Sequence, residues 1–216
     1  MSELASGSQP QLSKHRIEAL VDGIFAVAMT LLVIELRIPE QAHHAGEAAL
    51  RGALLQLLPM MISWVISFFV LANFWIANHR LYSFVRHVDQ PLLWLTMLGL
   101  SGASLLPFAS SVNNQFASLT GQLVYSGVMV LLGVATLLQA RYIYRHPELC
   151  SHQLTSASYA AVLARGLGLL LIAVSAIPLS YVAPGMANLV FLLMLGLRPF
   201  GAWIERRTQR THHAGA

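Results

Sequence analysis

The chain has 216 residues, of which 56% are hydrophobic and 10% charged, against the roughly 25% charged usage of a soluble globular domain, and its mean hydropathy is +0.62. That composition excludes a soluble domain and indicates an integral membrane protein. The formal charge of +4 and pI near 9.6 do not make nucleic acid a partner, because the thirteen Lys and Arg are spread between apolar runs and form no contiguous basic face.

A hydrocarbon core of about 30 Å needs about 20 mostly apolar residues in helix. Six stretches meet that requirement, at 17–37, 52–78, 92–112, 118–140, 158–178 and 182–204. The breaks "RIPEQAHHAGE", "HRLYSFVRHVDQP", "SSVNNQ", "RYIYRHPELCSHQ" and "YVAPG" carry turn and charge signals. The expected fold is therefore all-α, with six membrane-spanning helices in one domain, residues 16–205. A polar N-terminus (1–15) precedes it and a basic tail (206–216) follows. The second stretch is expected to continue as helix through Val85, since "RLYSFVRHV" holds good helix formers until "DQP" stops it.

Lys14 and Arg16 precede the first span, Arg80 and Arg86 follow the second, Arg141 and Arg145 the fourth, and Arg206, Arg207 and Arg210 the sixth. Positive residues are retained on the cytoplasmic side of short loops, so both termini are expected in the cytoplasm. The opening "MSELASGSQPQLSKH" lacks the basic-then-apolar order of a signal peptide, and the first span is expected to be retained. Cys150 is alone, which leaves no intrachain disulfide and no cysteine metal spacing. His212 and His213 are read as part of a solvated tail.

The first span, "RIEALVDGIFAVAMTLLVIEL", has two faces. At about 100° per residue, Gly23, Val27, Thr30, Leu31 and Ile34 form one smooth stripe with a single hydroxyl. Asp22 lies about 140° around the helix from Val27, and Met29 lies on the side opposite that stripe. A carboxylate in a membrane helix has to face protein or water and find a partner. The second span carries Trp75, Asn78, His79 and Tyr82 at helical spacing near its cytoplasmic end, so the indole, amide and imidazole are all candidate donors to Asp22. Taken by pattern alone, Val, Leu and Ile at this spacing are ordinary packing or lipid-facing residues.

The stretch "RIEALVDGIFAVAMTLLVIELRIP" resembles the first-helix signature of the bacterial lysosomal-potassium-channel-like proteins, the TMEM175 family. There an Arg is followed six residues later by the Asp of a Phe-Ser-Asp motif, then by a Gly-hydrophobic-Phe-Ala run and a Thr-Leu-Leu. Arg16, Asp22, Gly23, Phe25, Ala26, Thr30, Leu31 and Leu32 occupy those places, and "WIANHRL" and "LLPF" resemble further landmarks. The likeness covers the first half; the second half matches in span count and length. Leu20-Val21-Asp22 stands where the family has Phe-Ser-Asp, so the aromatic and the hydroxyl are missing while the acid remains.

The resemblance implies a homotetramer whose first helices line a pathway favouring K+. Val27, Leu31 and Ile34 would form apolar constrictions, with Thr30 between them, and Arg16, Asp22, Trp75, Asn78 and His79 would form a helix-packing network. No TVGYG-like or other Gly-rich re-entrant loop is present, in keeping with an apolar constriction rather than a carbonyl filter. The implied setting is a bacterial inner membrane, multi-pass, with further copies of the chain, lipid and monovalent cations as partners, and no cofactor beyond permeating K+. The alternative is a proton-coupled secondary transporter that uses Asp22 and His79 as a relay. An intramembrane enzyme ranks well below both, because Asp22 and His79 offer two chemical groups where catalysis needs at least three converging.

Overall fold

A computed structural model describes residues 13–37, 46–116, 118–182 and 187–194. These residues form an antiparallel succession of long helices: α1 (Lys14–Ile34), α2 (Gly46–Phe84), α3 (Gln90–Phe116), α4 (Leu119–Arg145) and α5 (Ser156–Val182). Short 3-10 helices lie at Pro147–Leu149 and Ala187–Leu193. All five long helices are long and apolar enough to cross a membrane. Of the sixth expected span, 182–204, Val182 belongs to α5, and the residues 187–194 are described and open as a 3-10 helix. Residues 195–204, the first twelve residues and the basic tail lie outside the described residues.

Local chemistry sets the helix limits. Asp89 caps α3: its carboxylate accepts the Leu92 N–H at 3.1 Å and its carbonyl the Leu93 N–H at 3.0 Å. Pro91 is tolerated in the first turn, where no intrahelical donor is needed. The second Asp89 oxygen accepts the Tyr142 hydroxyl, which ties the start of α3 to the end of α4. Ser118 caps α4 by accepting from Gly121 N at 3.2 Å, and Thr155 caps α5 by accepting from Ser158 N at 3.2 Å. Helix α2 runs through "RLYSF" as the sequence indicates, ending one residue before Val85, which pairs with Cys150 in an isolated bridge.

The structure departs from the sequence reading at one break and adds two features to it. "SSVNNQ" is not a loop but part of the last turns of α3, which runs on to Phe116, because Ser110 and Asn113 are buried among polar partners. Arg165, absent from the loop-charge reading, lies inside α5. Pro59 is a further intrahelical proline, in α2, beside Pro107 in α3 and Pro178 in α5.

The core lies where α1, α2, α3, α4 and α5 converge, around Phe25, Leu71, Phe74, Leu106, Tyr125 and Met129. Helices α3, α4 and α5 approach closely at glycines. A Cβ on Gly166 would stand 2.4 Å from Leu137 Cδ2, one on Gly133 2.9 Å from Leu170 Cδ2, and one on Gly102 3.0 Å from Leu132 Cγ. Small residues that let helix backbones approach are a main source of association inside lipid, where apolar burial between helices gains little.

Two outcomes are expected. Gly166→Val should cost about 1–3 kcal/mol by overpacking against Leu137, whereas Gly127→Ala, with open space at its Cβ, should be neutral or stabilising by up to about 1 kcal/mol. Thermal unfolding in detergent checks both, and equal melting temperatures would refute the close contact. At the α4–α5 loop, burial pushes the Cys150 thiol above its usual pKa, and the nearby Glu148 carboxylate adds to the effect. Maleimide labelling of Cys150 at neutral pH should therefore be slower than that of a free cysteine and should accelerate as pH rises past the ordinary thiol range.

Candidate functional site: the outward stripe of α1 and its anchors

Helix α1 buries Ile17, Val21, Phe25, Ala28 and Leu32, the i, i+4, i+8, i+11, i+15 stripe, against α2 and α3. The opposite stripe is exposed: Val27 is 56%, Leu31 42% and Ile34 55% accessible, whereas Val21 is 3%. Gly23 and Thr30 lie on the same exposed side. Thr30 donates its hydroxyl proton to the Val27 carbonyl at 2.8 Å. The threonine oxygen therefore keeps only acceptor capacity, the polarity a cation requires of a ligand. Met29 is not outward-facing, for it is half-buried and packs on the core, whereas Val33 is 48% exposed on a third side of the helix.

Two hydrogen bonds hold α1 in this rotation. Near one end, the Trp75 indole N–H donates to Asp22 Oδ1 at 2.7 Å, joining α1 to α2. At the other, Glu35 Oε2 accepts the Ser111 hydroxyl at 2.6 Å, joining α1 to α3, and Gln115 Nε2 donates to Ser111 Oγ at 2.8 Å. The anchors are thirteen residues apart, about 20 Å along the helix. The sequence reading did not find the second one. Its signal was Glu35 at the far end of an apolar run, obscured because Ser111 was assigned to a loop.

The candidates of the second span divide three ways. Only Trp75 is brought to Asp22. His79 is exposed and stacks on Trp75, with ring centroids 6.0 Å apart at 26°. Asn78 turns the other way and donates to Gln139 Oε1 on α4 at 3.2 Å, while Gln139 Nε2 donates to the Leu95 carbonyl at 3.1 Å. Tyr82 meets Thr96 Oγ1 at 2.5 Å, and since Thr96 gives its own proton to the Leu92 carbonyl, Tyr82 is the donor. Arg16 is exposed and makes no ion pair among the described residues, where the one pair is Lys14–Glu18 at 3.5 Å.

Below the stripe, α2, α3 and α4 are joined by buried hydroxyls. Ser67 Oγ lies 3.1 Å from both Ser110 Oγ and the Tyr125 hydroxyl. Further along, Asn113 donates to Asn188 Oδ1 at 3.0 Å, and Asn188 donates to Ser63 Oγ at 3.2 Å. Among the described residues no group of three or more His, Cys, Asp or Glu could hold a metal ion.

The comparisons with known proteins bear on this stripe. Residues 16–107 match the family model described as the endosomal/lysosomal potassium channel TMEM175, an interval that holds α1 from Arg16 onward and both its anchors except Ser111 and Gln115. A protein named as a potassium channel from Streptomyces collinus is 33% identical over 125 residues, which are 56% of this chain and 59% of that protein. Another, from Chamaesiphon minutus, is 30% identical over 129 residues, 57% of this chain and 63% of that protein. The matches thus span about three fifths of these relatives' own lengths. The crystal structure of a lysosomal potassium-selective channel TMEM175 homolog from Chamaesiphon minutus superposes with a TM-score of 0.72, at 23% identity, over 87% of this chain and 97% of that one, and so shares the fold. Over residues 16–107, which carry the outward stripe and the Asp22–Trp75 anchor, this chain matches the model of the TMEM175 family.

Proposed function

We propose that the chain is the subunit of a potassium-permeable cation channel, with copies of α1 lining the pathway. The observation that carries this reading is the stripe of Val27, Thr30, Leu31 and Ile34, which α2 and α3 hold outward by anchors at both ends of the helix. The relatives named as potassium channels support it. In this reading four subunits assemble, both termini face the cytoplasm, and the protein sits in a bacterial inner membrane.

The physics follows from closing branched side chains around an axis. Rings of Val27, Leu31 and Ile34 make a narrow apolar constriction that water leaves readily, so an ion passes only by shedding part of its hydration. K+ gives up hydration at lower cost than Na+. The Thr30 oxygens, with their proton already engaged by Val27 O, offer lone pairs to the partly stripped ion about one turn from the Val27 ring. Selectivity from a single hydroxyl ring is modest, and Val27 leaves a wider opening than a larger side chain would.

The geometry does not favour a proton relay between Asp22 and His79. Trp75 bonds to the first and stacks on the second. An indole nitrogen has no free lone pair with which to accept a proton and pass it on.

Flux from liposomes under K+, Na+ and H+ gradients tests the reading: passive monovalent cation flux is expected, and stoichiometric proton-coupled flux would overturn it. Val27→Ala should raise K+ and Na+ flux together by at least about twofold as the ring widens and wets, and Val27→Phe should nearly abolish it. Val33→Ala, the same change on another exposed side of α1, should leave flux unchanged. Identical behaviour of the two alanine variants would show that the stripe does not line the path. Cross-linking in mild detergent should yield tetramers. Asp22→Asn should lower stability by about 0.5–1.5 kcal/mol, the worth of one hydrogen bond at an exposed carboxylate, with little change in ion preference. Trp75→Phe should give the same loss, and the double variant no more than either alone.

A further inference from the structure

Helix α1 ends on a charge that its own dipole opposes. Glu35, the C-capping residue, follows Leu31 by four residues, about 40° around the helix and about 6 Å further along. It thus continues the row of Val27 and Leu31 and stands at the edge of the stripe that faces α3. The last turn of α1 holds no basic residue, and a carboxylate at a helix C-terminus adds to the partial negative charge of the unpaired carbonyls there. The half-buried Glu35 is nevertheless fixed: Oε2 accepts the Ser111 hydroxyl at 2.6 Å, and the Gln115 amide donates to Ser111 Oγ at 2.8 Å. A neutral donor orients this charge without cancelling it. Among the described residues Glu35 makes no ion pair and its Oε1 has no hydrogen-bond partner, while Arg37 and Arg51, at the same end, are exposed.

We propose that the Glu35 carboxylates of neighbouring subunits ring the outer mouth of the pathway and concentrate cations there, setting the rate at which K+ enters from dilute solution. This charged entrance, which rests on the channel reading above, is separate from the apolar constriction: Glu35 acts on entry, and Val27 and Leu31 act on passage. Charges of one sign around a low-dielectric opening focus the field and raise the local concentration of counter-ions. The C-terminal end of α1, placed at that opening, contributes in the same direction. Arg37 and Arg51 oppose it less, because their exposed charges are screened by solvent and salt. Ser111 is a positioning residue here, since its hydroxyl holds the carboxylate beside the stripe.

Passive K+ flux through liposomes containing the full chain tests it, measured at about 0.01 M and about 1 M KCl, where the Debye length is about 30 Å and about 3 Å. Glu35→Gln removes the charge and keeps an oxygen that can accept from Ser111. It should lower flux about threefold or more in the dilute salt and less than about 1.5-fold in the concentrated salt. Glu47→Gln, at an exposed carboxylate carried by α2 at the same end, should stay within about 1.5-fold of the unmodified protein in both. Glu35→Cys, made together with Cys150→Ser, should show the same loss in dilute salt, regain flux with an anionic thiosulfonate label and lose more with a cationic label of similar size. A structural role would make the two labels act alike. Undiminished flux in Glu35→Gln, an equal loss at both salt concentrations, or an equal response to the two labels would each overturn the proposal while leaving the channel reading in place. Absence of passive flux from the unmodified protein would overturn the channel reading, and the charged entrance with it.

Discussion

A polar side chain inside a bilayer has no water to turn to, so it must find its partner within the protein. In this chain that requirement decides how the helices are rotated. Asp22 is answered by Trp75 and Glu35 by Ser111, and together these bonds leave α1 one orientation about its axis. The Ser67, Ser110 and Tyr125 hydroxyls bring α2, α3 and α4 to one point, and Asn113 and Asn188 extend the polar seam to residues that follow α5. Apolar contact alone would tolerate many rotations of a helix as uniformly hydrophobic as α1, since lipid tails are as good a neighbour as leucine.

Once α1 is fixed, its outer surface acquires a meaning. The stripe from Gly23 to Ile34 has no charge, one hydroxyl and branched or small side chains, and it is turned away from the other described helices. Such a surface either meets lipid or meets copies of itself. In the channel reading proposed above it meets copies of itself, and there the consumption of the Thr30 proton by Val27 O suits an oxygen that is to face a cation. The core has its own cohesion through the glycine contacts of α3, α4 and α5, so folding of the bundle does not call on the stripe.

Much of this was legible in the sequence. The two faces of α1 follow from a 3.6-residue period, and the depth of Trp75 against Asp22 follows from counting along two antiparallel spans. Continuation of α2 past the membrane could be read from its helix formers. What escaped did so for identifiable reasons. "SSVNNQ" looks like a turn because its partners are distant in sequence: Asn188 is 75 residues from Asn113, and Ser63 is 125 from Asn188. Asn78 could equally have met Asp22, and only the position of α4 sends it to Gln139. Arg165 was overlooked as one charge in a long apolar helix, although a charge in such a place is itself a strong signal.

The length of α2 has a mechanical consequence. Its 39 residues extend about 58 Å, nearly twice the hydrocarbon thickness, and immersing all of it would need a tilt of about 60°, outside the range membrane helices adopt. It therefore stands proud of the bilayer as a post. At its C-terminal end the post is braced, with Leu81 and Tyr82 buried against neighbouring helices and the Phe84 carbonyl bonded to Ser151 N at 2.9 Å. At its N-terminal end Glu47, Leu50 and Arg51 are exposed. A torque applied to that outer arm would travel along one continuous helix to Trp75 and, through it, to the rotation of α1.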